Sequence, residues 1–538
     1  MHWAANSHEW ATRLDADARD DSFRVIPNFR HHMHVFRRLS LAVVLAGCAS
    51  AGTPASSPAP LPAALAAGSS RAALKQFIDS LVEVPEFRST HWGLLVVDPG
   101  RGETLYSRNA DKLFMPASNM KLLTGSTALV QLGADYRWTT TMFARGPVRE
   151  GILAGDLVVR GSGDPSFSAH MQKGDALAPL RALADSLRAH GVTRVHGRLV
   201  AAPSPFTDAP LGYGWSWSDL DDSYSAGVDA LYFNEGFTQV VVRGGARAGD
   251  PVGASTRPAA TFPALIVRAR TVPALTKASS AADSALVRGG ITAAQDSSRA
   301  GVLLTGAIAA GDSEIVEITF RDQQAAFLSA MREALAARGI AVDGARTDST
   351  AKLDSISTLW SPMLRDVMPY FEKPSQNQIG ELLLKTLALA KTGAGRADSG
   401  AAVVARQVVA WGAEKDGFAI HDGSGLSRHD YVSPRTIVHV LNAMRTQPDF
   451  KIFYDALPIA GVDGTIGSRM KGTPAQGNVH AKTGTLDKAR SLSGYVTTAD
   501  GRMLLFSALC NNYVVPTRRV DRVSDALAIK LASLRLDQ

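Results

Sequence analysis

Pro116-Ala117-Ser118-Asn119-Met120-Lys121-Leu122-Leu123 opens a run that stays apolar on one face as far as Leu132. Pro and Ser at its start and the 3.6-residue spacing of Met, Leu and Val predict a helix over residues 116–132. Ser118 falls in the first turn, where the positive end of the helix dipole favours a developing oxyanion. Lys121 is three residues on and shares a face with Ser118. A lysine there acts as a base only when it loses its proton, and burial among cationic neighbours lowers its pKa. This is the S-x-x-K pattern, a serine nucleophile with a lysine base.

Two further patterns follow in order. Ser375-Gln376-Asn377 is S-x-N and stands just before a helical stretch beginning at residue 378. Lys482-Thr483-Gly484 is K-T-G, on an edge-type strand with Thr485 just beyond. An ammonium and hydroxyls on such a strand suit a substrate carboxylate, and the strand's backbone can pair with a peptide. Each pattern also occurs a second time, at Ser349-Thr350-Ala351-Lys352, Ser107-Arg108-Asn109 and Lys391-Thr392-Gly393. Context separates the copies. Ser349 lies in a polar linker, and Lys391 ends a helix for which Gly393 is a natural C-cap. Ser118 instead opens an apolar helix, and Lys482 lies in a strand.

Outward from these motifs, residues 70–83 read as an amphipathic helix. Residues 91–97 and 103–107 form a hairpin around Asp98-Pro99-Gly100-Arg101-Gly102. Residues 140–345 carry short β-type runs between Ala/Gly/Thr/Ser-rich loops, with 244–312 poor in aromatics. Helical patterns return after 355, and three strands near 479–509 close the chain before a last helix. Helices between an N-terminal hairpin and a C-terminal meander predict one α/β (α+β) domain, residues 70–145 plus 350–538, interrupted by one or two inserted β-rich modules over 146–349.

The chain has 538 residues, 45% hydrophobic and 20% charged, with a formal charge of +7. That length calls for several domains, and that balance is globular. No Lys/Arg block or basic-aromatic stripe accompanies the charge, which argues against nucleic acid. The two cysteines, Cys48 and Cys510, have no metal-type spacing. Neither G-x-S-x-G nor H-E-x-x-H occurs, so no metal and no cofactor is expected.

S-x-x-K, S-x-N and K-T-G in this order resemble the active-site set of penicillin-binding proteins and serine β-lactamases. Nearly half the chain separates Ser118 from Ser375. That gap, with Gly161-Ser162-Gly163-Asp164-Pro165, Gly214-Trp215-Ser216-Trp217-Ser218-Asp219, Tyr232-Phe233-Asn234-Glu235, Asp422-Gly423-Ser424-Gly425-Leu426-Ser427 and Gly461-Val462-Asp463-Gly464-Thr465, resembles the class C low-molecular-mass penicillin-binding proteins. These are D-alanyl-D-alanine carboxypeptidases and endopeptidases. The resemblance implies an antiparallel sheet flanked by helices. It gives Ser118 as nucleophile, Lys121 as general base, Ser375 as proton relay and Asn377 as the residue that orients Lys121. Lys482, Thr483, Gly484 and Thr485 bind the substrate's terminal carboxylate, and the N–H groups of Ser118 and Thr485 form the oxyanion hole. Asp219 matches an acid that reads a free amino group on the peptide. The implied partners are peptidoglycan stem peptides, ending in D-Ala-D-Ala or cross-linked, and β-lactam antibiotics. A β-lactamase or esterase on the same scaffold, and a catalytically inactive wall-binding lipoprotein, remain open from the residues alone.

Residues 33–48 read as a secretory signal: Arg37 and Arg38, an apolar stretch over 39–46, then Leu45-Ala46-Gly47-Cys48. The last four resemble the bacterial lipobox, in which the cysteine is lipidated. Residues 1–48 are thus a signal region starting in effect at Met33, and residues 49–69 a flexible Ala/Ser/Pro/Gly tether. The expectation is a periplasmic protein held by lipid on the outer membrane.

Overall fold

A computed structural model describes residues 71–259, 262–274, 285, 287, 289–296 and 301–536. The signal region, Met33, Cys48 and the tether over 49–69 lie outside the described residues.

A five-stranded antiparallel sheet joins the N-terminal and C-terminal parts of the described chain. Its order is Glu103–Arg108, His91–Asp98, Met503–Asn511, Ala489–Thr497, His480–Leu486. The two ends of the chain therefore meet at the centre, where His91–Asp98 runs beside Met503–Asn511. Alternation sends side chains to opposite faces. Leu94, Val96, Leu504 and Phe506 pack under the helices Arg71–Val82 and Thr517–Ala532. Leu95, Leu505, Leu509 and Tyr495 face a helical layer on the other side.

The centre of that layer is Met120–Leu132, buried on every side along most of its length. A helix that is apolar all round belongs inside a large core. Around it pack Leu364–Glu372, Asn377–Thr392, Ala397–Ala410, Pro434–Met444 and Phe450–Ala456. His480–Leu486, which carries K-T-G, lies at the edge of the sheet. There it runs beside the turn Ala117–Asn119 that leads into the central helix.

A second sheet, in the order Leu353–Trp360, Thr139–Arg145, Asp156–Gly161, Leu199–Ala201, begins the inserted region. Thr139–Arg145 and Leu353–Trp360 lie outside the 146–349 limits drawn from the sequence. They belong to the insertion because each finds its ladder partner there. Trp138 and Ser361 mark the neck: the Ser361 N–H bonds the Trp138 carbonyl at 3.0 Å, and the Ser361 hydroxyl oxygen accepts from the Trp138 N–H at 2.9 Å. The insertion is also less purely β than its loops suggest. Ala178–Ala189 and Gln323–Ala337 are helices whose leucines and alanines cover this sheet. Two smaller sheets, with Phe237–Arg243 and Gly301–Ala309 at their centres, enclose a separate core of Val240, Val302 and Leu304. Among the described residues no helix is long and apolar enough to cross a membrane.

Trp138 is fully buried, and its indole N–H donates to Thr386 Oγ1 at 2.9 Å. Trp138→Ala would remove this plug and its hydrogen bond, at a cost of about 3–5 kcal/mol. Thermal or urea unfolding should show a large drop in stability. A change within the noise would mean the neck closes without it.

Candidate active site

The nucleophile turn is pinned from several directions. Phe114 and Val432 exchange backbone hydrogen bonds at 3.1 and 2.9 Å. The Asn511 amide bonds both the N–H and the carbonyl of Met115, and Ser491 Oγ donates to the Pro116 carbonyl at 2.8 Å. Asn119 Nδ2 donates to the Lys482 carbonyl at 2.8 Å, which joins S-x-x-K to K-T-G directly. Ala117 takes a left-handed φ of 48°. A non-glycine residue there stores strain that only surrounding structure can hold. Gly484 explains the close approach. A Cβ at that position would stand 2.1 Å from Ser491 Oγ and 2.5 Å from the Pro116 carbonyl oxygen.

Lys121 is wholly buried and its Nζ has three neighbours: Ser118 Oγ at 2.9 Å, Asn377 Oδ1 at 2.6 Å and the Ser424 carbonyl at 2.8 Å. The last two can only accept. A neutral amine has two N–H bonds, which they consume, and its lone pair is then left for the Ser118 hydroxyl. Burial pushes the Lys121 pKa well below the usual lysine range, and Lys482 pushes it further; Glu372, Asp422 and Glu381 oppose them. The three oxygens would equally satisfy an ammonium, and it is the burial and the neighbouring Lys482 that favour the neutral base.

Ser375 also has a left-handed φ, 66°. Its Oγ accepts from Lys482 Nζ at 2.7 Å. Lys482 is buried, which lowers its pKa, while Glu372 pulls it back up. Thr483 Oγ1 donates to Thr465 Oγ1 at 2.7 Å. Thr485 is exposed, and its hydroxyl accepts from Arg490. Ser118, Lys121 and Asn377 form one hydrogen-bonded group and Ser375, Lys482 and Thr483 another, joined through the bond from Asn119 to the Lys482 carbonyl. The duplicated motifs lie outside both: Ser107, Ser349, Lys352 and Lys391 are exposed. Gly393 caps the helix ending at Thr392 with φ 80°.

Asp219 lies at the end of the turn Trp217–Asp219, its Oδ2 3.5 Å from Arg428 Nη2. Arg428 also reaches the carbonyl of Asp487, just past the K-T-G strand, at 3.5 Å. This places Asp219 on the wall beyond Thr485, not in the lysine cluster. Sequence reasoning left several partners unassigned. Ser424 offers Lys121 a carbonyl, inside a loop whose N–H groups are gathered by Asp422 and Glu381. The inserted region reaches back as well: Asn377 Nδ2 donates to the Tyr224 carbonyl at 2.8 Å, Gln376 Nε2 to Glu235 at 3.0 Å, and Trp215 Nε1 to Asp422 at 2.9 Å. Among the described residues no group of three His, Cys, Asp or Glu side chains is placed to hold a metal ion.

Gly484→Ala should drive the strand and the nucleophile turn apart. Acylation by a penicillin should fall by orders of magnitude and the melting temperature should drop as well, because Gly484 is buried and the clash includes the Pro116 backbone carbonyl. An acylation rate within twofold of the parent would show that the turn relaxes freely.

Comparison with known proteins gives the family. The model of the D-Ala-D-Ala carboxypeptidase 3 (S13) family matches residues 74–533. A D-alanyl-D-alanine carboxypeptidase of Actinomadura sp. (strain R39) is 32% identical over 490 residues, 87% of this chain and 86% of that protein. The crystal structure of penicillin-binding protein 4 from Haemophilus influenzae shares the fold at TM-score 0.71 and 22% identity, over 85% of this chain and 99% of that one. The same protein complexed with a β-lactam gives TM-score 0.66 over the same shares. With nearly its whole described length matched, the chain belongs to the D-Ala-D-Ala carboxypeptidase 3 (S13) family and is a serine-type D-alanyl-D-alanine carboxypeptidase.

Proposed function

We propose that Ser118 is the residue acylated. Its Oγ attacks the carbonyl of the penultimate D-Ala while Lys121 Nζ takes its proton. The N–H groups of Ser118 and Thr485 hold the resulting oxyanion. Collapse breaks the peptide C–N bond. The proton passes from Lys121 through Ser375 Oγ to the leaving amine, and D-Ala departs. Water then repeats the sequence in reverse roles and frees Ser118. Asn377 fixes the Lys121 amine, and Lys482, Thr483 and Thr485 hold the terminal carboxylate. The observation that carries this reading is the buried Lys121 amine, whose two obligate acceptors leave Ser118 as its third neighbour.

The substrate is a peptidoglycan stem peptide, trimmed at D-Ala-D-Ala or cut at a cross-link. Asp219 reads a free amino group on that peptide, and Arg428 beside it suits a carboxylate on the same side chain. A β-lactam acylates Ser118 as a mimic of D-Ala-D-Ala whose leaving group stays tethered after ring opening. The lipobox reading places the enzyme in the periplasm, held to the outer membrane through Cys48. A triacylated cysteine anchors stably where one chain does not.

Labelled penicillin and mass spectrometry test the assignment. Ser118→Ala should abolish both labelling and peptide cleavage. Lys121→Ala should lower acylation by several orders of magnitude. Lys482→Ala should weaken both activities through a lost hydrogen bond to a charged group, worth about 1.5–3 kcal/mol. Ser349→Ala and Lys391→Ala should behave as the parent. An adduct on Ser349, or full labelling of Ser118→Ala, would overturn the assignment. Asp219→Ala should raise KM for a peptide with a free side-chain amine and leave KM for its acetylated form unchanged. For the anchor, Cys48→Ser should move the protein from the membrane fraction to the soluble periplasmic fraction. An already soluble parent refutes the lipobox reading.

A further inference from the structure

Glu372 ends the helix Leu364–Glu372 and is wholly buried. Neither of its carboxylate oxygens has a hydrogen-bond partner among the described residues. Room for it is made by Gly125, where a Cβ would stand 2.9 Å from Glu372 Oε1. Gly125 follows Lys121 by four residues, so the carboxylate lies against the same face of the central helix, one turn beyond the base. Burial raises the pKa of the Glu372 carboxyl to about 7, and Lys482 and then Lys121 pull against that rise.

The other charges nearby are already engaged. Glu381 and Asp422 also act on Lys121, but they accept N–H groups of residues 423–427. Lys373 is taken by Asp463 and Lys385 by Asp208. On the helix packed against Leu364–Glu372, Lys451 and Asp455 pair with each other at the surface. Of the three acids that bear on Lys121, Glu372 alone makes no hydrogen bond. An unpartnered carboxylate in a dry interior is costly. Its role must come from the two cations beside it.

Two ammonium groups buried together repel, and one negative charge permits one of them to keep its proton. We propose that Glu372 is the counter-charge of the lysine pair, a positioning residue that keeps Lys482 cationic for the substrate carboxylate while Lys121 remains the neutral base. This rests on the roles proposed above for Lys121 and Lys482.

The full chain carrying Glu372→Gln tests it, read as the pH profile of Ser118 acylation by penicillin and of D-Ala-D-Ala peptide cleavage. Loss of the anion makes both ammonium forms less stable, so each lysine loses its proton at lower pH. The acid limb belongs to Lys121 and the alkaline limb to Lys482. Both should move toward acid by about one unit or more. Glu372→Met, which removes the charge with a side chain of similar volume, should move them likewise. Glu372→Asp keeps the charge and should leave both limbs near their parent positions. The two charge-free variants should melt below the parent at neutral pH and recover stability as pH rises and Lys482 loses its proton, because its buried ammonium has lost its counter-charge. Limbs that stay in place in both, whatever the loss in rate, would overturn the proposal. So would parent-like limbs in both charge-free variants beside a loss of folding in Glu372→Asp, since Glu372 would then serve packing. If Ser118→Ala still acylates, the site reading itself fails; if it is dead and the limbs stay fixed, only the counter-charge is refuted.

Discussion

A lysine amine withdrawn from water is the constraint on which this structure turns. Burial of Lys121 strips its ammonium of hydration, and no carboxylate bonds the amine directly. The site therefore needs acceptors fixed in place, and they come from three separate segments: Ser118 from the entering turn, Asn377 from the next helix and the Ser424 carbonyl from a loop. Holding those segments in register requires the helical layer around Met120–Leu132 to be closed. It also requires the sheet edge to be locked to the nucleophile turn through Asn119 and Ser491. The fold's close packing thus serves the protonation state of one nitrogen.

The second lysine shares the burial but not the task. Lys482 donates to Ser375 Oγ, where the proposed mechanism has both the substrate carboxylate and the transferred proton pass. One buried amine has to be neutral and its neighbour charged within a single dry pocket. Glu372 supports the charge of both, but Lys121 is in addition pushed down by Lys482, and with burial its pKa falls further than that of Lys482. The same residue type carries two roles because its neighbours differ.

The chemistry was legible because S-x-x-K, S-x-N and K-T-G are local in sequence and each sits on an element with a clear signature. Duplicated copies of all three were separated by the same signatures, and their exposure in the structure agrees. The edges of the insertion were not legible. Thr139–Arg145 reads as a strand from its own residues, but its partners Leu353–Trp360 and Asp156–Gly161 are set by tertiary pairing that periodicity does not carry. The two helices within this region carried a legible signal that went unread, Ala and Leu at helical spacing such as Leu180, Leu183, Ala184 and Leu187. Glu372 gave no signal, since an acid at the end of an amphipathic helix ordinarily reads as solvent-facing. The backbone role of Ser424 was equally hidden, because a carbonyl acceptor has no residue preference.

The insertion is better understood as part of the cleft than as an appendage. Ser375 is held in a left-handed conformation that costs a non-glycine residue of order 1 kcal/mol or more. The residues beside it are gripped from the insertion: Gln376 by Glu235 and Asn377 by the Tyr224 carbonyl. Gln376 also accepts the N–H groups of Gln378 and Ile379, so one side chain caps the helix and ties it to the insertion. Trp215 reaches across to Asp422, which in turn gathers the loop that presents the Ser424 carbonyl to Lys121. Two of the three acceptors around the catalytic amine are thus steadied by residues far outside the catalytic sheet. A sheet-and-helix core stripped of residues 139–360 would keep Ser118 and lose the contacts from Tyr224, Glu235 and Trp215 that brace the groups around Lys121.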